Sequence, residues 1–186
     1  MRTETIRRGL EVAGVAALAV AAGRTAQLRR RRRGLEVAEH VDLERYLGTW
    51  HEIARLPTWF ERTCVGSTAT YAMRTDGRIQ VINRCRRGSC QGQPTTARGT
   101  ARVVDTKTNA RLKVSFMGPL AGDYWILDVD PEYRWALVGA PNRRNLWILA
   151  REPALDDRTY WRLVEKAAGM GFPVEKLERP QSCAVH

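Results

Sequence analysis

A tryptophan and an arginine about a hundred residues apart could form a cation–π pair in this chain. Trp50 follows Gly48 in a Gly-x-Trp motif, and Arg151 ends the strand-like run 145–151. An arginine guanidinium can lie flat on an indole ring, which stabilises by about 1–2 kcal/mol where water is excluded. A glycine close to the tryptophan lets another element approach the backbone. These residues predict a contact between the first and last strands of one closed β-barrel.

Four cysteines could supply disulfide bonds, metal ligands or free thiols. Their spacing does not match a zinc motif and no histidine lies near them, so we expect no metal site. In an oxidising compartment four cysteines would form two disulfides with three possible connectivities, while four reduced thiols are the alternative. The cysteines are Cys64, Cys85, Cys90 and Cys183.

Catalytic chemistry has little support in the sequence. No histidine has a cysteine or serine partner at motif spacing, and Gly-x-Ser-x-Gly, a phosphate loop and a zinc pair are all missing from the sequence. Asp128 and Asp130 would share a strand face, but a turn near Pro131 explains them more simply. We therefore expect a protein that is not an enzyme, with a reaction on a bound lipid as the alternative. The histidines are His40, His51 and His186.

Short segments that alternate apolar and polar residues must position these groups. Turn signals such as Asp76 with Gly77 separate them every ten to fifteen residues, which is typical of an all-β fold. Eight antiparallel strands can close into an up-and-down barrel, which is either filled by side chains or holds one small ligand. The predicted strands are 48–56, 66–74, 78–85, 96–104, 110–117, 123–129, 134–140 and 145–151.

One C-terminal α-helix is predicted after Pro153. Asp156 or Asp157 can cap its start, and Gly169 or Gly171 can end it. A single apolar stripe at helical spacing predicts that the helix packs on the outside of the barrel. The stripe contains Tyr160, Leu163, Val164, Ala167 and Ala168.

The N-terminus has the features of a targeting segment. Arg7 and Arg8 precede an apolar stretch at 12–22, which is the length of a signal-peptide core, but the arginines at 29–33 oppose export by the positive-inside rule. The sequence allows two interpretations: the segment is cleaved after export, or it is retained and associates with the membrane. The predicted organisation is a signal-like segment at 1–23, a basic linker at 24–40, the barrel with its helix at 41–180 and a tail at 181–186.

The net charge of +11 does not indicate a nucleic-acid-binding domain. Residues 1–33 hold nine arginines and two glutamates, a net +7, while the remainder holds 22 basic and 18 acidic residues, a net +4. A mixed surface accounts for the second value, so we expect no nucleic-acid partner. A membrane-surface or nucleic-acid role of the arginine tail is the alternative, because basic runs can bind anionic headgroups.

Three stretches resemble the signatures of the lipocalin family. The first signature resembles residues 41–54, which read Val-Asp-Leu-Glu-Arg-Tyr-Leu-Gly-Thr-Trp-His-Glu-Ile-Ala. The segment that carries the second signature resembles residues 123–138, and the third signature resembles residues 146–151. The similarity extends over about 41–177 and is greatest to bacterial outer-membrane lipocalins and apolipoprotein D. His51 replaces the usual tyrosine, and the cysteine that is lipidated in the bacterial lipoproteins is missing, so covalent anchoring is not expected.

The resemblance implies structural roles for several residues. Gly48, Trp50, Tyr133 and Arg151 are expected at the closed end of the barrel, with Arg151 packed across Trp50. By comparison with apolipoprotein D, the resemblance also implies a Cys64–Cys183 disulfide, with Cys85–Cys90 as a local bridge. Cys64–Cys85 with Cys90–Cys183 is the alternative.

Alternation along the strands predicts the residues that line a ligand cavity. An inward Arg151 places Trp147 on the inner face, and the small residues of the fourth strand, 97–103, leave space beside it. Trp59 and Phe60 follow the first strand as lid or membrane-contact residues. Arg62, Arg84 or Arg86 could pair with a phosphate or carboxylate at the rim. The remaining predicted lining residues are Tyr71, Val81, Leu112, Val114, Phe116, Tyr124 and Ile126.

The function implied by the resemblance is storage or transport of a small hydrophobic ligand, either a fatty acid or a lysophospholipid. It also implies a location in the bacterial envelope, in the periplasm or outer membrane, and a part in membrane maintenance or stress response. Expected partners are the ligand, the membrane surface and a second copy, which would contact an exposed Trp125 or Trp135. No cofactor is expected, and haem is disfavoured because no histidine falls on the predicted inner face.

Overall fold

The computed structural model describes residues 34–59 and 61–183. The predicted N-terminal segment, the side chain of Phe60 and the end of the tail lie outside this part of the chain. The elements are α1 Leu43–Tyr46, β1 Gly48–Arg55, β2 Cys64–Met73, β3 Ile79–Arg87, β4 Pro94–Val103, β5 Arg111–Met117, β6 Leu120–Val129, β7 Trp135–Gly139, β8 Leu146–Ala150, α2 Asp157–Gly169 and a 3₁₀ turn Val174–Lys176.

The strands form a closed antiparallel barrel in which each strand pairs with its neighbours in sequence and β1 also pairs with β8. Trp50 of β1 lies opposite Ala69 of β2, while His51 lies opposite Ala150 of β8. This arrangement confirms the predicted eight-stranded barrel with one helix near the C-terminus. Because successive strands alternate in direction, the connections β1–β2, β3–β4, β5–β6 and β7–β8 all lie at one end of the barrel, called here the mouth.

Helix α2 covers one side of the barrel. Its N-cap Asp156 accepts a hydrogen bond from the Thr159 N–H at 2.9 Å. Leu163 and Ala167 are buried in a cluster with outward-facing residues of the barrel wall, including Leu137 and Ile148. The apolar stripe is narrower than predicted, because Ala168 is exposed at the edge of the contact.

The packed part of the chain begins earlier than the predicted boundary at residue 41. Leu35 is buried in the cluster beneath α2, and Val41 is buried in the cluster inside the barrel. Residues 35–40 therefore contact the barrel instead of forming a linker. The short helix α1, which was not predicted, follows at once and carries Tyr46 into the barrel interior.

Both disulfides differ from the pairing that the resemblance implied and match the alternative pairing. Cys64 is bonded to Cys85 and Cys90 to Cys183, with Cα atoms 5.4 Å apart in each pair. Cys64 and Cys85 lie on the adjacent strands β2 and β3, so their side chains meet across the sheet. The C-terminal tail passes beside the start of β2, where Gly66 N–H donates to the Gln181 carbonyl at 2.8 Å, and continues to Cys90 in the β3–β4 connection.

Neither tryptophan predicted as a dimer contact is fully exposed. Trp135 is buried, and the guanidinium of Arg162 lies 4.6 Å from its ring centroid. Trp125 is half-buried, with the Arg111 guanidinium 4.9 Å from its ring. An arginine of a neighbouring element therefore covers a face of each ring. Among residues 34–59 and 61–183, no helix is long and apolar enough to cross a membrane.

Candidate ligand-binding site

A column of aromatic rings runs through the barrel interior from the closed end towards the mouth. The ring centroids of Trp50 and Tyr46 are 5.0 Å apart, and those of Tyr46 and Tyr71 are 5.7 Å apart. Tyr71 lies 5.9 Å from Tyr124, which lies 6.5 Å from Trp147 in a stacked orientation. Helix α1 and strands β1, β2, β6 and β8 each contribute one ring, so the column depends on closure of the barrel.

Three tyrosine hydroxyls of this column share hydrogen bonds. The Tyr124 hydroxyl lies 2.8 Å from that of Tyr46 and 2.8 Å from that of Tyr71. Burial raises the pKa of all three phenols, so each keeps its proton at neutral pH. Three hydroxyls hold three protons and the two contacts use two, which leaves one O–H free to donate to an acceptor inside the barrel.

Most residues predicted to line the cavity belong to this inner cluster. Some are buried within it and others are half-buried against it, which follows from the period-two alternation of the strands. The buried members are Tyr71, Val81, Leu112 and Ile126, and the half-buried members are Val114, Tyr124 and Trp147.

Two predicted ligand residues, Phe116 and Trp59, are exposed near the mouth and are not part of the inner cluster. Phe116 is 41% exposed at the end of β5 beside the mouth, where the register with β6 shifts between Val114 and Met117. Its ring packs over Gly99 of β4, where an added Cβ would lie 2.8 Å from a ring carbon. Trp59 is 79% exposed in the β1–β2 connection at the mouth. Phe60 lies outside the described residues.

A buried ion pair lies inside the barrel near the mouth. Arg55, only 2% exposed, donates from Nη1 to Oε1 of Glu52 in a close salt bridge. Its Nη2 also donates to the carbonyl oxygens of Glu61, at 2.8 Å, and Cys64, at 3.3 Å. Arg55 thereby holds the β1–β2 connection against the end of β1.

Glu52 has an unusual proton affinity. Burial, together with the nearby Glu61 carboxylate, raises its pKa from 4.5 to about 7 against the opposing effect of Arg55. Glu52 lies opposite Leu149 on β8, and Leu149 belongs to the inner cluster. The carboxyl therefore faces the interior, where a change of its charge would alter its electrostatic interaction with a bound ligand.

Glu61 connects this ion pair to the aromatic column. Its Oε2 accepts hydrogen bonds from the Thr58 hydroxyl at 2.8 Å and from Nε1 of Trp147 at 3.4 Å. The Arg55 guanidinium pairs with Glu52 and lies 4.0 Å from the carboxylate of Glu178, while Glu61 brings a third carboxylate near Glu52. The cluster has a net charge of −2 when all three carboxyls are ionised and −1 when Glu52 is protonated.

One buried acceptor in the same region lacks a partner. Within the described part of the chain, Oδ1 of Asn83 is buried and accepts no hydrogen bond. Asn83 lies opposite Ala69 and Ala97 in the register of β2, β3 and β4. A buried amide oxygen that accepts no hydrogen bond lowers the stability of the folded protein. A donor group of a ligand or a water molecule would therefore be stabilised beside it.

Sequence reasoning missed Tyr46, Glu52, Arg55 and Glu61. Period two from the inward Trp50 already placed Glu52 on the inner face, and this signal was available in the sequence. Tyr46 depends on α1 and Arg55 on a bulge between Glu52 and Ala54, and neither feature has a clear sequence pattern.

The three arginines predicted at the rim are all exposed. Arg84 and Arg86 alternate with the inward-facing Asn83 on β3 and are exposed on the outer face. Arg62 is exposed in the β1–β2 connection. Across the residues that the structure describes, no group of three or more histidine, cysteine or acidic side chains could hold a metal ion.

Comparisons with known proteins agree with this architecture. A family model described as a lipocalin-like domain matches residues 41–182. The outer membrane lipoprotein Blc of Escherichia coli K12 is 43% identical over 145 residues, which cover 78% of this chain and 81% of that protein. The temperature-induced lipocalin-1 of Arabidopsis thaliana is 40% identical over 158 residues, which cover 80% of this chain and 83% of that protein.

Apolipoprotein D of Mus musculus is 32% identical over 151 residues, which cover 76% of this chain and 77% of that protein. Among solved structures, insecticyanin from the tobacco hornworm Manduca sexta superposes with a TM-score of 0.63. That match covers 80% of this chain and 84% of insecticyanin at 20% identity, so it demonstrates a shared fold.

Proposed function

This chain belongs to the lipocalin family, and from that premise we propose that its barrel binds one small hydrophobic ligand for storage or transport. Eight-stranded barrels of this family have the size to enclose one such molecule. The proposed site is the inner face around Tyr124 and Trp147, with the ligand's polar group near Glu52, Arg55 and Glu61. We propose a binding protein and not an enzyme.

The partial exposure of inward-facing side chains carries this proposal. Val114, Tyr124 and Trp147 belong to the inner face, yet solvent reaches each of them. A barrel filled by its own side chains would bury such residues completely. Burying an alkyl chain contributes about 0.8 kcal/mol per CH₂, so a dozen carbons supply about 9 kcal/mol before the costs of binding.

The charge of the mouth distinguishes between the two predicted ligand classes. A free fatty acid would bring a carboxylate beside Glu61 and Glu52, where the net charge is already negative and Arg55 is occupied. A lysophospholipid with an ethanolamine or choline headgroup combines its phosphate with a cationic amine, which the carboxylates would attract. The free tyrosine hydroxyl could donate to an ester carbonyl. Of the two classes, we propose the lysophospholipid.

The proposed setting is the bacterial envelope, where the protein would handle lipids during membrane maintenance or stress. The names of two relatives support this setting, since one is an outer membrane lipoprotein and the other is temperature-induced. A membrane surface is the proposed partner. The homodimer stays a prediction, which analytical ultracentrifugation can test.

Native mass spectrometry of the full-length protein, produced in an oxidising compartment, tests the proposal. Organic extraction followed by lipid analysis would identify what co-purifies. We expect a lysophospholipid at one copy per chain, lost in Trp147→Asp and retained in the control Trp161→Asp, which alters an exposed tryptophan on α2. A protein without co-purified lipid, whose tryptophan fluorescence is unchanged by added lysophospholipid, would contradict it. Conversion of the added lipid to a new product would favour the enzyme alternative.

A further inference from the structure

The charge of the folded part is concentrated in one hairpin. The 28 residues from Gly77 to Val104, which span β3 and β4, contain six arginines and no acidic residue. Residues 34–186 carry a net charge of +4 in total. The part of 34–186 outside this 28-residue segment therefore carries a net charge of −2. The hairpin is therefore a basic surface on an otherwise slightly acidic domain.

Strand register places four of these arginines on the outer face of the sheet. Arg84 lies opposite Thr68 and Thr96, Arg98 lies opposite Ile82, and Arg102 lies opposite Lys113. The alternate residues of the two strands, including Val81 and Ala101, face the inner cluster. All four arginines are exposed, and together they are called the arginine face: Arg84, Arg86, Arg98 and Arg102.

These charges are largely uncompensated. Within residues 34–59 and 61–183, no hydrogen bond or ion pair reaches the guanidinium groups of Arg84, Arg98 and Arg102. Arg86 donates only to the carbonyl oxygen of Gly92, at 3.1 Å. Unpaired arginines that share one face without acidic neighbours create a positive potential, which attracts anions.

A groove joins the arginine face to the neighbouring hairpin. It has a volume of about 390 Å³, and its lining includes Arg98, Ser115 and Phe116. Arg74 and Arg78 also line it, and both are paired with Asp76. Beside Gly118 the hairpin ends in two exposed apolar side chains, Met117 at 72% and Leu120 at 76%. This pair is called the apolar tip.

We propose that the arginine face and the apolar tip dock together on a membrane surface rich in anionic phospholipids. Guanidinium groups pair with lipid phosphates, while Met117 and Leu120 enter the boundary between headgroups and acyl chains. A nucleic acid would match the charge but would leave the apolar tip without a role. The β5–β6 connection lies at the mouth, so docking brings the open end of the barrel to the bilayer.

The size of the electrostatic effect can be estimated. Each basic residue near an anionic bilayer strengthens binding by about fivefold at moderate ionic strength. Removal of three charges from the arginine face is therefore expected to weaken binding by about 100-fold. The proposal concerns the outer surface and does not depend on which ligand occupies the barrel.

The test compares vesicle binding of full-length variants, so that the N-terminal arginines are present in every sample. Vesicles of phosphatidylcholine containing phosphatidylglycerol are compared with vesicles of phosphatidylcholine alone by co-sedimentation. The face variant carries Arg84→Gln, Arg98→Gln and Arg102→Gln. The control carries Lys107→Gln, Arg158→Gln and Lys176→Gln, which remove the same charge from exposed positions outside the arginine face.

We expect the face variant to lose about 100-fold in affinity for the anionic vesicles, while the control loses much less. The double variant Met117→Ser with Leu120→Ser should also weaken vesicle binding, without changing binding of a short DNA duplex. If the triple variant does not fold, the single variants Arg84→Gln and Arg98→Gln replace it in the test. Each is expected to lower the affinity for anionic vesicles about fivefold. Equal binding of face variant and control would overturn the proposal. So would loss of duplex binding with vesicle binding retained.

Discussion

The guanidinium of Arg151 lies 3.8 Å from the ring centroid of Trp50. The same group donates to the carbonyl oxygens of Thr49, at 2.9 Å, and Leu47, at 2.8 Å. One side chain therefore connects the residue after β8 to the end of α1 and the beginning of β1. It closes the end of the barrel opposite the mouth and covers the first ring of the aromatic column.

Arg151→Ala is expected to lower the free energy of unfolding by about 2–4 kcal/mol, since it removes the cation–π contact and leaves backbone carbonyls without donors. Arg151→Lys should recover only part of this loss, because an ammonium cannot serve several carbonyls and the ring in one plane. Urea unfolding monitored by tryptophan fluorescence measures both. Arg158→Ala, at an exposed position, is the control; an equal effect of the two alanine changes would contradict this role.

Gly48 is expected to tolerate no side chain. Its φ is +93°, and an added Cβ would lie 3.3 Å from Nη1 of Arg151. Gly48→Ala should cost about 1–3 kcal/mol in unfolding free energy. Gly77→Ala is the matched control, because Gly77 also has a positive φ, +76°, but has open space around it. A larger effect at Gly77 would show that the contact with Arg151 is unimportant.

Glu52 is expected to make stability depend on pH. Its pKa is raised from 4.5 in the unfolded chain to about 7, so the folded protein binds more protons within this window. Its contribution to stability is therefore fully present below pH 4.5 and is lost as the pH rises towards 7. Burial lowers the pKa of His51, which acts in the opposite direction.

The difference between wild type and Glu52→Gln isolates this effect. Unfolding free energies measured across the window should show the Glu52 contribution in the wild type and its absence in the variant. Glu165→Gln, at an exposed position on α2, should leave the wild-type profile unchanged. Parallel profiles of wild type and Glu52→Gln would mean that Glu52 titrates normally.

Mass mapping of the unreduced, digested protein is expected to recover Cys64–Cys85 and Cys90–Cys183 peptides. The two bonds should also differ in their contributions to stability. They close loops of 21 and 93 residues, and the longer loop restricts the unfolded chain more. Replacing Cys90 and Cys183 by serine should therefore cost about 1 kcal/mol more than the same change at Cys64 and Cys85. A recovered Cys64–Cys183 peptide would contradict the pairing.

Glu61→Gln is expected to change ligand preference at the mouth. Removing one carboxylate should strengthen fatty-acid binding by about tenfold, because the repulsion of the ligand carboxylate falls. Binding of a lysophospholipid should not improve. Quenching of tryptophan fluorescence measures both affinities, with Glu132→Gln at an exposed position as the control. Unchanged fatty-acid affinity would argue against a ligand headgroup beside Glu61.

Local sequence patterns were sufficient to predict the eight strands and helix α2, but not α1. Alternation with period two indicates a strand, and a stripe at helical spacing indicates α2, because both patterns depend on residues that are neighbours in the chain. The same alternation placed Tyr124 and Trp147 on the inner face. The signature residues Trp50 and Arg151 indicated that the barrel closes between its first and last strands.

Contacts between distant strands were decided only by the tertiary structure. Arg55 joins Glu52 on the inner face because of a bulge in β1, and Cys90 meets Cys183 because of the path of the tail. A bulge shifts every later side chain by one position, so alternation cannot be extrapolated past it. The sequence by itself determined which residues form strands and helix; register and closure decided which side chains meet.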